Sequence, residues 1–210
     1  MYRGKFITLE GGEGAGKSTQ AKLLHAKLVL EGIDAILTRE PGGTPMAEQI
    51  REILLSGSMK DFGSDFETML FARARKDHVD NLIRPALREG KWVICDRFID
   101  STWVYQGYVS DANIDLISYL EYYALDENRI KPDMTFLLEI SAEIGLSRAH
   151  NDKILKDRFE SENIDFHNTI VEGYHVRSLT DENRFVNINA NRDKELVFRD
   201  IWKTVENKFL

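Results

Sequence analysis

The sequence predicts an α/β fold, a five-stranded parallel sheet sandwiched between layers of helices. Short runs of β-branched and large apolar residues alternate along the chain with longer helical stretches, the order expected of strand–helix–strand units. Three of the five strand runs are almost wholly apolar instead of alternating, as expected of strands covered on both faces. A chain of 210 residues can form one continuous core, so we expect a single domain over residues 1–210.

Each predicted strand opens on a polar residue and continues into apolar ones. The strands begin at Lys5 (KFITLEG), Asp34 (DAILTRE), Lys91 (KWVICDRF), Asp133 (DMTFLLEI) and Arg184 (RFVNINA). The helices are predicted to begin near Lys17, Met46, Asp65, Ile114, Ala142 and Ile164, with a last one from Arg192 to the end. The stretch at 149–163 is strongly charged, and we expect a mobile lid around residues 148–161.

The composition narrows the class of function. The formal charge is −7, whereas proteins that bind nucleic-acid polymers usually carry a broad basic surface. Cations for a phosphate ligand must therefore be concentrated locally. No run approaches the roughly 20 apolar residues that span a bilayer, and the N-terminus does not resemble a secretory signal. Because Cys95 is the single cysteine, it cannot form an intrachain disulfide, which favours a cytoplasmic protein.

The stretch LEGGEGAGKST, directly after the first strand, carries the clearest functional signal. It fits the pattern G-x-x-x-x-G-K-[ST] between a strand and a helix, and such a loop cradles phosphates with backbone N–H groups that no Cβ obstructs. Lys17 is expected to reach the β- and γ-phosphates, and the Ser18 hydroxyl to ligate Mg²⁺. The alternative is a glycine turn that only joins strand to helix. The predicted nucleotide-binding residues are Gly11, Gly12, Glu13, Gly14, Ala15, Gly16, Lys17, Ser18 and Thr19.

Asp96 and Arg97 end the third predicted strand. Ligands gather at the carboxyl ends of parallel strands, so both side chains are expected at the site that the glycine loop builds. Asp96 can hold the metal ion or its water, and Arg97 can bind a phosphate with its two-pronged guanidinium. A surface ion pair that closes the strand is the alternative.

A second glycine-containing turn, in TREPGGTPMAEQIREILL, lies between Arg39 and Arg51. Since the first loop already accounts for one nucleotide, a second basic turn suggests a second phosphorylated ligand. A plain Pro-Gly turn with solvated arginines is the alternative.

Two further stretches offer groups that recognise a base. Phe71 and Arg75 are four residues apart and share a face of a predicted helix, where an aromatic ring can stack on a base and a guanidinium can bond its carbonyl. In DSTWVYQGY, the residues Thr102, Tyr105 and Gln106 are available as polar contacts. Taken alone, the first stretch is equally typical of a core aromatic beside a surface arginine, and the second of a capped helix start.

Together these motifs resemble the bacterial branch of the thymidylate kinase family. The resemblance rests on EGGEGAGKST, TREPGGT, LFARAR, DRFIDSTWVYQGY and DRFESENIDFHNTIVEGY, in the family's order and spacing. It runs from the first strand to about Arg158, and more weakly to the end. It implies a P-loop NTPase fold, a homodimer, and transfer of the ATP γ-phosphate to dTMP, which gives dTDP.

The same resemblance implies a role for each candidate residue. Arg51 and Arg97 would hold the dTMP phosphate, with Arg39 nearby. Phe71 would stack on thymine while Arg75 and Gln106 bond it, and Tyr105 would crowd the sugar 2′ position. Glu13 would lie near the sugar and the phosphates. Ala15 stands where some members carry an arginine, which shifts the supply of cations to the lid residues Lys153, Lys156 and Arg158.

The chain departs from the family pattern at Phe98, which replaces a Tyr or His, and at Trp103, which replaces a small residue. These departures concern fine substrate preference, because neither removes a group that the chemistry requires.

The expected chemistry is electrostatic. A phosphate monoester has a second pKa of about 6 and is mostly dianionic at neutral pH, so the reaction needs charge neutralisation and alignment instead of a general base. The expected catalytic groups are Lys17, Arg97, Asp96, Glu13, Lys153 and Arg158. Two rival hypotheses are a deoxynucleoside kinase, which would need a carboxylate base, and a nucleotide-dependent switch that hydrolyses slowly.

Overall fold

A computed structural model of the chain describes residues 4–58, 60–125, 130–151, 159 and 162–210. Most of the predicted lid falls outside these ranges. The predicted lid cations Lys153, Lys156 and Arg158 therefore lie outside the described residues.

The predicted five-stranded parallel sheet is confirmed. Its strands are β1 (Phe6–Glu10), β2 (Ala35–Arg39), β3 (Trp92–Asp96), β4 (Met134–Glu139) and β5 (Phe185–Asn189). They lie in the order β2-β3-β1-β4-β5, and every neighbouring pair is parallel. Because Leu9 of β1 is in register with both Asp96 of β3 and Phe136 of β4, the carboxyl ends of the central strands meet at one edge.

Helices connect the strands and cover both faces of the sheet. They are α1 (Lys17–Leu30), α2 (Pro45–Leu55), α3 (Ser64–His78), α4 (Arg84–Arg88), α5 (Ile99–Thr102), α6 (Ile114–Leu125), α7 (Ala142–Asn151), α8 (Ile164–Leu179) and α9 (Lys194–Phe209). Two π-helical segments continue them, Val79–Ile83 after α3 and Trp103–Val109 after α5, and a short 3₁₀ turn covers Lys60–Phe62.

The predicted helix starts agree with the observed ones to within two residues, and local capping explains several of them. Thr44 accepts a hydrogen bond from the Ala47 N–H ahead of Pro45 at the first position of α2, a typical helix start. The Asn163 side chain caps α8 in the same way. The short helices α4 and α5 and the π-helical segments Val79–Ile83 and Trp103–Val109 have no counterpart among the predicted helices.

Strand β1 explains why the strand runs lack alternation. Phe6 and Ile7 are neighbours and point to opposite faces of the sheet, yet both are buried. Ile7 belongs to the cluster that packs against Leu24 of α1 and Ile201 of α9, whereas Phe6 packs with Ile83 on the other face.

The glycine loop after β1 is braced from behind by α7. The backbones of Gly14 in the loop and Gly145 in α7 pack directly against each other. A Cβ on Gly14 would lie 1.9 Å from the Gly145 carbonyl oxygen, and a Cβ on Gly145 would lie 2.3 Å from the Glu13 carbonyl oxygen. We predict that Gly145→Ala lowers the free energy of unfolding by about 1–3 kcal/mol, the usual cost of overpacking, and also weakens binding of the nucleotide expected at this loop. Urea unfolding and nucleotide titration measure the two effects. Gly12→Ala is the matched control for stability, since a Cβ there meets only Val171 at 4.0 Å; equal losses of stability in both variants would contradict the prediction.

Candidate active site

The carboxyl ends of β1, β2 and β3 open onto a cleft of about 1430 Å³. Single small-ligand pockets commonly measure about 300–1,000 Å³, so this cleft has room for two ligands of nucleotide size. Most of the residues predicted from sequence line it: Glu13, Gly14, Ala15, Gly16, Lys17, Ser18, Thr19, Arg39, Arg51, Phe71, Arg75, Asp96, Arg97, Thr102, Tyr105 and Gln106. The predicted Gly11 and Gly12 do not line this cleft; they face a separate cavity of about 530 Å³ behind the loop.

The glycine loop has the backbone conformation that its composition predicts. Gly11, Gly14 and Gly16 have backbone φ values of 140°, 66° and 89°, which residues other than glycine rarely adopt. Lys17, the first residue of α1, is buried and donates from Nζ to the Gly12 carbonyl oxygen at 2.7 Å. Burial and the neighbouring Arg97 lower the pKa of the Lys17 ammonium. The loop and this ammonium therefore define an anion site at the helix N-terminus.

Ser18 and Asp96 stand together beside that site. The Ser18 hydroxyl donates to Oδ2 of Asp96, while the buried Oδ1 of Asp96 has no hydrogen-bond partner among the residues that the structure describes. A hydroxyl and a carboxylate oxygen next to a phosphate loop are hard oxygen donors of the kind that Mg²⁺ prefers. The residues present thus fit the predicted metal.

Arg97 occupies the centre of the cleft floor. Its backbone φ is 67°, uncommon for a residue other than glycine, and its N–H donates to the Leu9 carbonyl oxygen. The guanidinium donates to Glu13 Oε1 at 2.6 Å, to the Tyr174 hydroxyl at 3.0 Å and to the Tyr105 hydroxyl at 3.2 Å. These hydrogen bonds fix the orientation of the guanidinium.

Glu13 is the counter-charge of this cation. Its Oε1 also accepts from the Tyr105 hydroxyl at 2.8 Å. Burial would raise the pKa of the Glu13 carboxyl, but Arg97 and Lys17 outweigh that effect and lower the pKa to about 2. The carboxylate is therefore ionised across the neutral range.

We predict a pH-dependent stability difference between the wild type and Glu13→Gln. Because the pKa of Glu13 is below its usual value of 4.5 in the folded chain, ionised Glu13 stabilises the fold above about pH 4.5, and this contribution is lost as the pH falls towards 2. The wild type should exceed the variant by about 3 kcal/mol in free energy of unfolding at pH 7, and by less at pH 3. Urea unfolding at both pH values measures it; a difference independent of pH would contradict the assignment.

The far wall of the cleft is built around Arg75 of α3. This buried guanidinium donates from Nε to Glu40 Oε2 at 2.6 Å, and from Nη2 to the Phe98 carbonyl and the Thr102 hydroxyl, both at 3.1 Å. Beside it, Gln106 is buried and its Nε2 lacks a hydrogen-bond partner within the described ranges. Phe71 lies one turn before Arg75 and also faces the cleft. The wall thus combines an aromatic side chain with fixed and unsatisfied donors, which suits a flat ligand with carbonyl oxygens.

The basic turn after β2 forms one side of the same cleft. Arg51 donates from Nη1 to the Pro41 carbonyl oxygen at 2.8 Å, and Arg39 donates to Glu48 Oε2 at 2.8 Å. Glu48 also accepts from the Gly43 N–H. The local concentration of cations that the acidic composition requires is therefore present in the cleft.

Sequence reasoning missed two groups beneath Arg97. Glu10, the last residue of β1, accepts from the Phe98 N–H at 2.7 Å, the Ser101 hydroxyl at 2.7 Å and the Tyr174 hydroxyl at 3.0 Å. Burial, with Asp100 nearby, raises the pKa of Glu10 to about 7. Its place at the carboxyl end of the central strand was the available signal. Tyr174 of α8 is the last residue of the stretch DRFESENIDFHNTIVEGY, but its contact with Arg97 depends on the tertiary fold.

A further set of residues lines the opposite end of the cleft, next to α1. Arg148 and Ala149 belong to the predicted lid, whereas sequence reasoning missed Ala190, Arg192, Asp193, Lys194 and Val197. Arg148 donates to the Ala190 carbonyl oxygen at 2.9 Å, which ties α7 to the turn after β5. The position of that turn at a strand's carboxyl end is the signal that could have identified it.

The departures at Phe98 and Trp103 have structural explanations. Phe98 is fully buried, in an edge-to-face contact with Phe6 at 4.9 Å, and Arg75 lies over its ring at 5.3 Å. Trp103 stacks on Tyr108 at 5.9 Å and carries the Arg177 guanidinium over its ring. Phe98 thus adds apolar packing behind the cleft, whereas Trp103 packs against α8.

The arrangement defines a class of enzyme. A phosphate-binding loop at the edge of a five-stranded parallel sheet shares one cleft with a wall suited to a second ligand, and cations lie between the two. This is the architecture of a P-loop phosphotransferase, in which catalysis consists mainly of positioning and charge stabilisation.

Comparison with known proteins identifies the family. A family model described as thymidylate kinase matches residues 9–201. Thymidylate kinases of Bradyrhizobium sp. (strain ORS 278) and Rhodopseudomonas palustris (strain CGA009) are 45% and 47% identical to the chain, over 98% and 99% of its length and 91% of theirs. The enzyme of the same name from Afipia carboxidovorans is 44% identical over 98% of the chain and 90% of its own length. The chain belongs to the thymidylate kinase family.

Membership of this family makes the chain a kinase that phosphorylates dTMP to dTDP for dTTP synthesis, with ATP as the phosphate donor. Within the described residues, no helix combines the length and apolar character needed to cross a bilayer.

Proposed function

We propose that phosphoryl transfer takes place across the cleft, with ATP on the glycine loop and dTMP against the wall formed by Phe71, Arg75 and Gln106. The main support for this proposal is the buried amide nitrogen of Gln106. This residue lines the cleft, and its nitrogen has no hydrogen-bond partner among the described residues. A buried, unpaired donor is costly, and a base carbonyl would satisfy it.

The charges of the cleft support this placement. The donor and acceptor phosphates are both anionic, so cations must stand between them. Arg97 bridges the two proposed binding regions, since its guanidinium donates both to the Gly11 carbonyl oxygen of the loop and to the Tyr105 hydroxyl. Lys17 lines the loop side of the cleft, and Arg51 and Arg39 line the proposed acceptor side. Because Glu13 pairs with Arg97, a phosphate bound there would share the guanidinium with Glu13, which serves to hold Arg97 in position. Thr102 fixes Arg75, and Tyr105 shapes the floor of the cleft.

Ser18 and Asp96 would hold Mg²⁺, Ser18 as a direct ligand and Asp96 directly or through a water. When bound, the ion would neutralise charge on the phosphates of ATP. The Oδ1 atom of Asp96, unpaired within the described part of the chain, is the observation that favours this assignment.

The direct test is an ADP-release assay with a panel of acceptors. ADP formation is expected to depend on dTMP and to be far slower with dCMP or with unphosphorylated thymidine. Thymidine as the better acceptor would favour the deoxynucleoside kinase hypothesis. ATP consumption at one rate with or without dTMP would contradict transfer altogether.

The lid around residues 148–161 remains part of the proposal, with Lys153 and Arg158 as cations that reach the phosphates on closure. Their positions lie outside the described residues, so the support is the charged sequence and the family resemblance. Proteolysis with ATP analogue, dTMP, both or neither tests it: protection is expected only with both ligands, and identical cleavage in all four samples would contradict a lid.

A homodimer is the proposed assembly. α2 packs against α3, and α3 packs against α6; each presents exposed apolar side chains, among them Ile53, Met69 and Tyr119. Such a surface is expected to associate. Sedimentation equilibrium should give twice the mass of 24.2 kDa, and a monomer at micromolar concentration would contradict it.

We also propose a cytoplasmic location, on the ground of the single cysteine.

A further inference from the structure

His78, the last residue of α3, is fully buried directly behind the cleft wall. Its Nδ1 lies 2.9 Å from Glu40 Oε1, and its Nε2 lies 2.7 Å from the Thr38 hydroxyl. Glu40 in turn accepts from Arg75 Nε at 2.6 Å through its other oxygen. A continuous chain of hydrogen bonds therefore runs from Thr38 through His78 and Glu40 to Arg75.

Each donor in this series of hydrogen bonds has one acceptor, and each acceptor has one donor. With the imidazole proton on Nδ1, the Nδ1–H donates to Glu40 Oε1 and Nε2 accepts from the Thr38 hydroxyl. The Arg75 Nε–H donates to Glu40 Oε2, so each oxygen of this carboxylate has a donor of its own.

The hydrogen bonds from Thr38 to Arg75 also lie next to the basic turn. Glu40 directly precedes Pro41, whose carbonyl oxygen holds Arg51. Gly43 of the same turn packs so closely on the imidazole that a Cβ there would lie 2.5 Å from both His78 Nε2 and Thr38 Oγ1. The imidazole is thus wedged between the turn proposed to face the acceptor phosphate and the carboxylate that aims Arg75.

We infer that His78 is a positioning residue for recognition of the acceptor base, acting through Glu40 on Arg75. This inference rests on the proposed function, in which Arg75 bonds a base carbonyl. Glu40 is buried and contacts Arg75 through a single oxygen, and its carboxylate stays in that orientation because His78 holds the other oxygen. Loss of the imidazole frees Glu40 to rotate, and the Arg75 guanidinium then loses its fixed direction.

Two substitutions at residue 78 separate positioning from packing. His78→Leu fills much of the space but removes both hydrogen bonds, whereas His78→Asn places an amide N–H close to the position of Nδ1. We expect the leucine variant to raise the KM for dTMP about 10-fold, equivalent to about 1.4 kcal/mol, with the KM for ATP unchanged. The asparagine variant should stay within about three-fold of the wild type, since it keeps the bond to Glu40.

The preference for one base over another is a measurement that general damage to the fold would not change. Thymine offers the O4 acceptor where cytosine carries the N4 amino donor, and a guanidinium can only donate. In His78→Leu, an Arg75 guanidinium without its fixed direction should therefore reduce the ratio of kcat/KM for dTMP to kcat/KM for dCMP. Damage confined to folding lowers both rates in proportion and leaves this ratio unchanged. An unchanged ratio, or an unchanged KM for dTMP in folded His78→Leu, overturns the inference.

Two further variants complete the test. If His78→Leu does not fold, Thr38→Val removes only the bond to Nε2 and is expected to raise the KM for dTMP two- to three-fold; no increase overturns the inference. Arg75→Ala, measured in parallel, separates the role of Arg75 from the role of His78. If Arg75→Ala leaves the KM for dTMP unchanged, the proposed role of Arg75 fails; if it raises that KM and the residue 78 variants do not, only the role of His78 fails.

Discussion

Lys17→Ala is expected to reduce kcat by about 10³-fold, a loss of about 4 kcal/mol of transition-state stabilisation. Lys17 carries the buried ammonium at the start of α1, directly after the glycine loop. Its Nζ donates to the Gly12 carbonyl oxygen, and a triphosphate in the loop would offer it stronger acceptors. Alanine removes a positive charge at the point where negative charge shifts between donor and acceptor, and water in its place would not be oriented.

Steady-state kinetics with saturating ATP and dTMP measure this effect, with circular dichroism to verify the fold. Lys27→Ala is the matched control, because Lys27 lies on the same helix but pairs with Glu31 away from the cleft. Its kcat should remain near that of the wild type. A Lys17→Ala enzyme that turns over at the wild-type rate would remove the catalytic role assigned to the loop lysine.

Arg75→Ala is expected to raise the KM for dTMP by about 10–100-fold while the KM for ATP changes less than about two-fold. A hydrogen bond from a charged donor contributes about 1.5–3 kcal/mol, which corresponds to this range. Arg75 lies at the acceptor wall, and its contacts with Glu40, Phe98 and Thr102 orient it before dTMP binds.

The same substitution leaves Glu40 buried without its guanidinium partner, which destabilises a fold by about 3–5 kcal/mol. Thermal unfolding must therefore accompany the kinetics, and assays belong well below the transition. Arg73→Ala is the control, since Arg73 sits on α3 outside the residues that line the cleft. Equal increases of the two KM values in Arg75→Ala would mean that the arginine supports the cleft as a whole and does not recognise the base.

The glycine loop illustrates how much of the site a local pattern can predict. Three glycines with positive φ, a lysine opening α1 and a hydroxyl one residue later are all consequences of neighbouring residues, so the sequence motif specifies their geometry. The ends of β2 and β3 are similar cases. Arg39 and Asp96 are the last residues of their strands, and parallel strands bring their carboxyl ends to one edge whatever their order.

Contacts between distant elements were beyond prediction. Nothing near Arg97 indicates that Tyr174, which is 77 residues later in the chain, donates or accepts hydrogen bonds there. The same holds for the bond between Arg75 and Glu40 across 35 residues. The π-helical segment that carries Tyr105 and Gln106 was equally hidden, since its residues suit an ordinary helix start.

From the sequence alone came the α/β class, the five strands, the phosphate loop and the family resemblance, because each depends on residues close together in the chain or on their order along it. Only the tertiary structure decided the strand order, the buried partners of Arg75 and Arg97, and the ends of the cleft. Those features depend on which elements pack together, and packing is governed by the burial of apolar surface and the pairing of buried charges across the whole fold.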